Sequence, residues 1–154
     1  MDGAGGSSGM GEATARFLGE LGAKVHIVDI QPPKVPHESF HQCDLSDFAQ
    51  VRATAEALKA IAPIHFLFPC AGLPPVVKPF SLIAKVNYFA VIATVEGLRD
   101  LVAKKKGSIL FVSSNSAPMI GTDDVFVQSC LAGDDEAAVC AAIDARDGQT
   151  AYAG

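Results

Sequence analysis

A glycine-rich segment near the amino terminus is the first candidate site. Gly5, Gly9 and Gly11 fall within seven residues, and a helical pattern follows at once. Glycines let the backbone turn tightly and let an anion approach a helix N-terminus, where free N–H groups and the dipole favour negative charge. A short β-branched run then ends at Asp29, twenty residues after Gly9. This order predicts a pyrophosphate site and a carboxylate that accepts the ribose hydroxyls of NAD and repels the extra phosphate of NADP.

The elements that would position this site alternate between two patterns. Apolar residues at helical spacing are separated by short β-branched runs, which predicts parallel strands joined by helices. A weaker strand is predicted before Asp44. The pattern indicates a Rossmann-type, doubly wound α/β fold with helices on both faces of the sheet. The helices are predicted over 12–21, 46–62 and 81–103, and the strands over 24–30, 64–68 and 108–112.

Length and composition fit a single domain over residues 1–154. The chain is 49% hydrophobic and carries a formal net charge of −5. Such a balance argues against a nucleic-acid or anionic-membrane surface, and no apolar run is expected to span a membrane. The four cysteines have no C-x-x-C spacing and form no metal-ligand pattern with the histidines. We therefore expect reduced thiols in a cytoplasmic protein with no metal.

Residues 115–149 break the alternating rhythm. This stretch holds seven acidic residues against a single basic one, Arg146. It is long for a connection in a compact domain. A short helix is predicted over 134–145, with Val139 and Ile143 anchoring it to the body. We interpret this range as an inserted acidic helical segment.

The spacing Gly5-x-x-x-Gly9-x-Gly11 resembles the cofactor fingerprint of the short-chain dehydrogenases/reductases. Asp44-Leu45 resembles the acidic pair that contacts adenine in that family, and Cys70-Ala71-Gly72 resembles its Asn-Ala-Gly motif, with a cysteine in place of the asparagine. A methyltransferase would share the glycine turn and the acidic strand end, but it has no reason to show this series. The resemblance implies NAD(H) contacts from Gly5, Ser8, Gly9, Met10, Gly11, Asp29, Asp44, Leu45, Cys70, Ala71 and Gly72.

Three further positions match the catalytic residues of the same family. Asn87 matches the asparagine of the long fourth helix, Ser114 ends the fifth strand, and Tyr152 begins a Tyr-x-x-x-Lys motif. The resemblance implies that Tyr152 is the acid/base, that Ser114 (or alternatively Ser113) holds the substrate oxygen, and that Asn87 holds a water linked to the lysine. A phenol titrates near pH ~10 in water, so nearby positive charge would have to lower its pKa. The sequence stops two residues short of the lysine, so we expect this fragment to be inactive.

Within the family, the chain is most similar to bacterial 3α-hydroxysteroid dehydrogenase/carbonyl reductases and their coniferyl-alcohol dehydrogenase-like relatives. This resemblance implies an NAD(H)-dependent oxidoreductase that interconverts a secondary alcohol and a ketone, and a homo-oligomeric full-length form. The insert is expected to cover part of the assembly surface or to reshape the substrate mouth. Two alternatives remain open: a non-catalytic dinucleotide-binding module, and an aryl or allyl alcohol dehydrogenase.

The first strand and the C-terminal strands of the domain are expected to be missing. Only Met1-Asp2-Gly3 precede Ala4, whereas a strand of about five or six residues normally leads into the glycine turn. That strand would lie mid-sheet, between the strands predicted over 24–30 and 64–68. Without it, the sheet must either close the gap, which would move the glycine turn, or leave two open edges. We therefore predict that the chain alone is unstable or aggregates and binds NADH weakly if at all.

Overall fold

A computed structural model describes residues 5–61, 63–119 and 121–146 of the chain. A helix lies between successive strands except between the first and the second, and the predicted α/β class of Rossmann type is confirmed. A π-helical turn at Lys85–Phe89 separates the third helix from the fourth. The strands are β1 (His26–Asp29), β2 (Ser39–Gln42), β3 (Phe66–Leu67) and β4 (Ser108–Ile109), and the helices are α1 (Gly9–Glu20), α2 (Phe48–Leu58), α3 (Ser81–Ala84), α4 (Ala90–Lys104), α5 (Val125–Ala132) and α6 (Glu136–Asp144).

Helices pack against both faces of strand β1. Its side chains alternate between the two faces, as the strand geometry requires. Ile27 is buried with Ala15 of α1 on one face, whereas Val28 packs against residues of α2 and α4 on the other. Helices therefore cover both faces of β1, which is the arrangement expected for a parallel sheet.

The strands form two separate parallel pairs among the described residues. β1 pairs with β2 in the register His26 to Ser39, and β3 pairs with β4 in the register Phe66 to Ser108. The strands predicted over 64–68 and 108–112 are wrong in length, because each pairs over only two residues. A cavity of about 920 Å³ lies between the pairs and is lined by residues of both β1 and β3. The gap anticipated between these two strands is thus open.

The helix predicted over 81–103 is interrupted. A single α-helix was expected, but the π-turn divides it into α3 and α4. By length and apolar composition alone, the run Ser81–Lys104 is able to cross a membrane, contrary to the expectation from the sequence. In this fold Leu98 and Val102 of α4 are at most 3% exposed, and Leu98 packs in a cluster with residues of α2. The run therefore serves here as a core helix.

The predicted acidic segment contains two helices packed against α3 and the π-turn. α6 corresponds to the helix predicted over 134–145, and its anchors Val139 and Ile143 are fully buried, as expected. α5 was not predicted, because its residues are apolar on all sides and give no helical period. The Asp144 carboxylate accepts a hydrogen bond from the Ser81 backbone at 2.7 Å, and Lys85 forms a 3.0 Å ion pair with Glu136. Charged groups thus reinforce the apolar contact between this segment and the body.

Candidate nucleotide-binding site

The glycine turn is packed so closely that two of its residues have no room for a side chain. A Cβ atom on Gly11 would lie 2.0 Å from the carbonyl oxygen of Gly5 and 2.8 Å from the Cys70 sulfur. A Cβ on Gly5 would lie 2.3 Å from a carboxylate oxygen of Asp29. Gly9 has a φ of +53°, a left-handed conformation that favours glycine. The turn therefore brings bare backbone to the N-terminus of α1, where an anion is favoured.

Asp29 holds this turn in place. Its carboxylate is only 3% exposed and accepts hydrogen bonds from the backbone N–H groups of Ser7 at 2.9 Å and Gln31 at 3.1 Å. The Ser7 hydroxyl donates to the Gln31 carbonyl at 2.7 Å, which closes a small network. Each carboxylate oxygen keeps a second lone pair beyond these bonds. Asp29 joins the end of β1 to the glycine turn.

Ser7 is the residue of this network that the sequence did not single out. It is buried, and both its N–H and its hydroxyl bond to the segment that ends β1. The available signal was a small hydroxyl residue between the glycines, two residues before the helix. Such a residue fits close to a neighbouring strand and offers a donor to its carboxylate.

Cys70 closes the site from the side of β3. Its thiol donates a long hydrogen bond of 4.0 Å to the Gly5 carbonyl. Burial raises the pKa of this thiol, and Asp29 raises it further. A thiol with a raised pKa is a poor nucleophile, so Cys70 serves here as a packed side chain.

Asn87 fastens the loop that follows β3. Its side-chain oxygen accepts from the Leu73 N–H at 2.7 Å, and its amide nitrogen donates to the Leu73 carbonyl at 3.2 Å. The water-holding role that the resemblance implies stays a prediction; in the structure both ends of the amide are bonded to the main chain of Leu73. Asn87 lies in the π-turn, and such turns are frequent at functional sites. The loop 70–73 is thereby tied to the long helix beside the glycine turn.

Substituting Asn87 tests this connection. Asn87→Ala is expected to free the loop at Leu73 and to speed amide hydrogen exchange there at least tenfold, because both bonds are lost. Asn87→Asp keeps the acceptor and loses the donor, so an intermediate rate is expected. Exposed Gln128→Ala, which removes one bond to the Thr122 carbonyl, is the control and should leave Leu73 unchanged. Equal exchange at Leu73 in all variants would contradict the positioning role.

The remaining predicted residues are distributed around this centre. Asp44 accepts from the Ser46 N–H and hydroxyl and so shapes the turn into α2, while Leu45 packs with the core between α2 and α4. Met10 is 55% exposed at the start of α1, which Ser8 precedes as its N-cap residue. Ala71 and Gly72 are partly buried in the loop after β3.

Of the remaining predicted catalytic residues, Ser114 and Tyr152, the structure describes only Ser114. Ser114 follows β4, and because β3 and β4 are parallel neighbours, their carboxyl ends meet at one edge. Its hydroxyl lies 2.8 Å from that of Ser116, and it is less exposed than Ser113. Tyr152 lies outside the described residues. The structure thus brings together the glycine turn, Asp29 and Cys70. Asn87, which bonds to Leu73 in the loop after β3, lies beside them.

A glycine turn at a helix N-terminus, bound to a carboxylate at the end of the next parallel strand, is the arrangement of nucleotide-binding α/β proteins. Residues 4–123 match the family model described as short chain dehydrogenase. The chain therefore belongs to the short-chain dehydrogenase family and carries the nucleotide-binding part of an oxidoreductase fold.

Several known proteins are similar to this chain. It is 36% identical over 134 residues to the short-chain dehydrogenase/reductase ascJ of Acremonium egyptiacum, covering 71% of this chain and 45% of that protein. The 3-alpha-hydroxysteroid dehydrogenase of Pseudomonas sp. B-0831, solved with NADH, superposes with a TM-score of 0.84 at 27% identity, covering 97% and 58% of the two chains. An NADPH-bound short chain oxidoreductase of Pseudomonas aeruginosa PAO1 gives 0.63 at 26% identity, covering 83% and 58%. The chain spans about half the length of the curated relatives that it matches.

Proposed function

We propose that this chain is the cofactor-binding part of an NAD(H)-dependent oxidoreductase that interconverts a secondary alcohol and a ketone, with a hydroxysteroid or another carbonyl compound as substrate. The observation that carries the proposal is the Asp29 carboxylate, bonded to Ser7 beneath the glycine turn. A carboxylate at this position favours ribose hydroxyls and disfavours a 2′-phosphate. The similarity to a hydroxysteroid dehydrogenase solved with NADH supports the same choice.

The residues present fit a nicotinamide dinucleotide. A Cβ atom on Gly5 or Gly11 would strike neighbouring atoms, and the backbone there leads into a twelve-residue helix. The pyrophosphate would lie at the N-terminus of α1 beside Ser8, Gly9 and Met10, while Asp44 and Leu45 would flank the adenine. Ala71 and Gly72 would line the path between them and the reacting end. When bound, the cofactor supplies hydride exchange with the carbon of an alcohol or carbonyl group.

The proposed chemical roles concern the substrate oxygen and its proton. Ser114 would hold this oxygen by a hydrogen bond, and Tyr152 would give or take the proton. Asn87 would position the loop 70–73 through its two bonds to Leu73. For the whole protein we further propose a cytoplasmic homo-oligomer in which the segment carrying α5 and α6 limits the usable assembly surface.

Cofactor preference is the test of this proposal. We expect NADH to bind the full-length protein at least tenfold more tightly than NADPH, which corresponds to about 1.4 kcal/mol. The measurement is a titration of nicotinamide fluorescence, with thermal unfolding in the presence of each cofactor as a second readout. Adenosine alone is the control for binding that does not involve the phosphates. Equal or tighter binding of NADPH would overturn the role given to Asp29.

A further inference from the structure

The π-turn at Lys85–Phe89 contacts two different parts of the chain. Asn87 bonds to Leu73 in the loop that follows β3. Lys85 and Tyr88, which flank Asn87 in the sequence, bond instead to the acidic segment that carries α5 and α6. The π-turn therefore connects the acidic segment with the loop beside the glycine turn.

Tyr88 attaches the π-turn to the carboxyl end of α5. Its hydroxyl donates to the Cys130 carbonyl at 2.9 Å, and this carbonyl also accepts from the Gly133 N–H at 3.2 Å. The last carbonyls of a helix lack the partners that interior carbonyls have, so the phenol satisfies one of them. Burial raises the pKa of Tyr88, so the phenol keeps its proton and remains a donor near neutral pH.

Lys85 attaches the same turn to α6. Its ammonium forms a 3.0 Å ion pair with Glu136, the first residue of α6, and about a third of each side chain is exposed. The hydrogen bond to Glu136 raises the pKa of Lys85, so the ammonium stays charged. Phe89 adds an apolar contact, because it packs against the cluster that contains Phe126 of α5. Both helices of the acidic segment thus hold the π-turn.

We propose that Tyr88 and Lys85 are positioning residues through which the acidic segment fixes Asn87, and with it the loop 70–73. Asn87 is itself exposed, so little packing holds its side chain and its direction depends on the backbone of the π-turn. A turn bonded to α5 and α6 on one side cannot rotate freely, and the amide therefore keeps its direction toward Leu73. The importance of this loop for cofactor binding rests on the proposed function, whereas the link from the segment to the loop stands without it.

Amide hydrogen exchange at Leu73 tests this link in the full-length protein without cofactor. Tyr88→Phe removes only the hydroxyl and is expected to speed exchange of the Leu73 N–H at least threefold, because the π-turn loses its bond to α5. In an Asn87→Ala background the same substitution should change the rate by less than about 1.5-fold, because the bonds through which it acts are gone. An equal effect in both backgrounds, or no effect in either, would overturn the proposal.

Gln128→Ala is the matched control for Tyr88→Phe. It removes another side-chain bond to a carbonyl in the acidic segment, but its partner Thr122 lies outside the π-turn, so exchange at Leu73 should not change. Faster exchange at Leu73 in this control, equal to that of Tyr88→Phe, would show general loosening of the segment and would overturn the role of Tyr88.

Conservative and disruptive substitutions of Lys85 test the second contact. Lys85→Met is expected to speed exchange at Leu73 at least twofold, whereas Lys85→Arg keeps the cation and should leave the rate near that of the unchanged protein. Lys59→Met, which breaks the exposed ion pair with Glu56, is the control. Equal rates in the two Lys85 variants would overturn the role of the ion pair. Because no cofactor is present, this failure is separate from a failure of the proposed cofactor preference.

Discussion

In the full-length protein, replacing Gly11 with alanine is expected to lower the free energy of unfolding by about 1–3 kcal/mol and to weaken NADH binding at least tenfold. The added Cβ would lie 2.0 Å from a backbone oxygen of Gly5, which no change of side-chain rotamer relieves. The turn must therefore move away from α1, and with it the N–H groups that would face a bound pyrophosphate. Urea unfolding and NADH titration measure the two effects.

Gly19 provides a matched control for this substitution in the same helix. A Cβ on Gly19 would come no closer than 4.0 Å to the nearest atom, the Pro36 carbonyl oxygen. Gly19→Ala is therefore expected to be neutral or to stabilise α1 by up to about 1 kcal/mol, with NADH binding unchanged. The double variant Gly11→Ala with Cys70→Ala relieves only the sulfur contact, so it should remain defective. If Gly11→Ala unfolds like Gly19→Ala, the close packing of the turn has no energetic importance.

Asp29→Ala is expected to detach the glycine turn from β1. The substitution removes the acceptor of the N–H groups of Ser7 and Gln31, and a buried donor left unpaired costs about 1–3 kcal/mol. The loss of the negative charge should also reduce the preference for NADH over NADPH. Asp29→Asn keeps one acceptor oxygen but turns an NH₂ group toward an N–H group, so it should recover only part of the stability.

The control for Asp29 is an aspartate with no comparable contacts. Asp100 lies on α4 with its side chain 87% exposed, and its ion pair with Arg99 is long, at 3.8 Å. Asp100→Ala is therefore expected to change the free energy of unfolding by less than about 0.5 kcal/mol. Unfolding curves for the Asp29 and Asp100 variants, measured with each cofactor, provide the comparison. Similar curves for the two alanine variants would show that Asp29 does not stabilise the glycine turn.

Local patterns in the sequence predicted the elements that depend on few neighbours. The glycine turn, the strand ending at Asp29 and the anchors Val139 and Ile143 follow from spacing and helical period, and the structure has them. The extent of β3 was wrong, because strand length depends on pairing partners that no local pattern contains. Helix α5 was missed because its sequence has no helical period, although its Asp124 cap was a local signal for a helix start.

The contacts inside the site were predicted less well than the site itself. The acidic strand end was predicted to face the cofactor, but its bonds to Ser7 and Gln31 connect residues up to 22 positions apart. The link from Asn87 to Leu73 likewise depends on how the loop after β3 folds back onto the helix. The assignment of roles to Ser114 and Tyr152 stays a prediction, because it was carried by family motifs rather than by local physical chemistry.

The π-turn at Lys85–Phe89 determines which way the two halves of the long helix face. A residue in an α-helix advances the direction of its side chain by about 100°, so the extra residue of a π-turn rotates everything before it relative to everything after it. Ala84 packs in the cluster with Phe126, while Ala90 and Ala93 pack in the cluster with Val51 on α2. Deleting one residue here would restore a regular helix and swing α3 by about 100° relative to α4, which would turn its contact with α5 and α6 away from them. The angular register between the two halves of the helical run therefore depends on one extra residue.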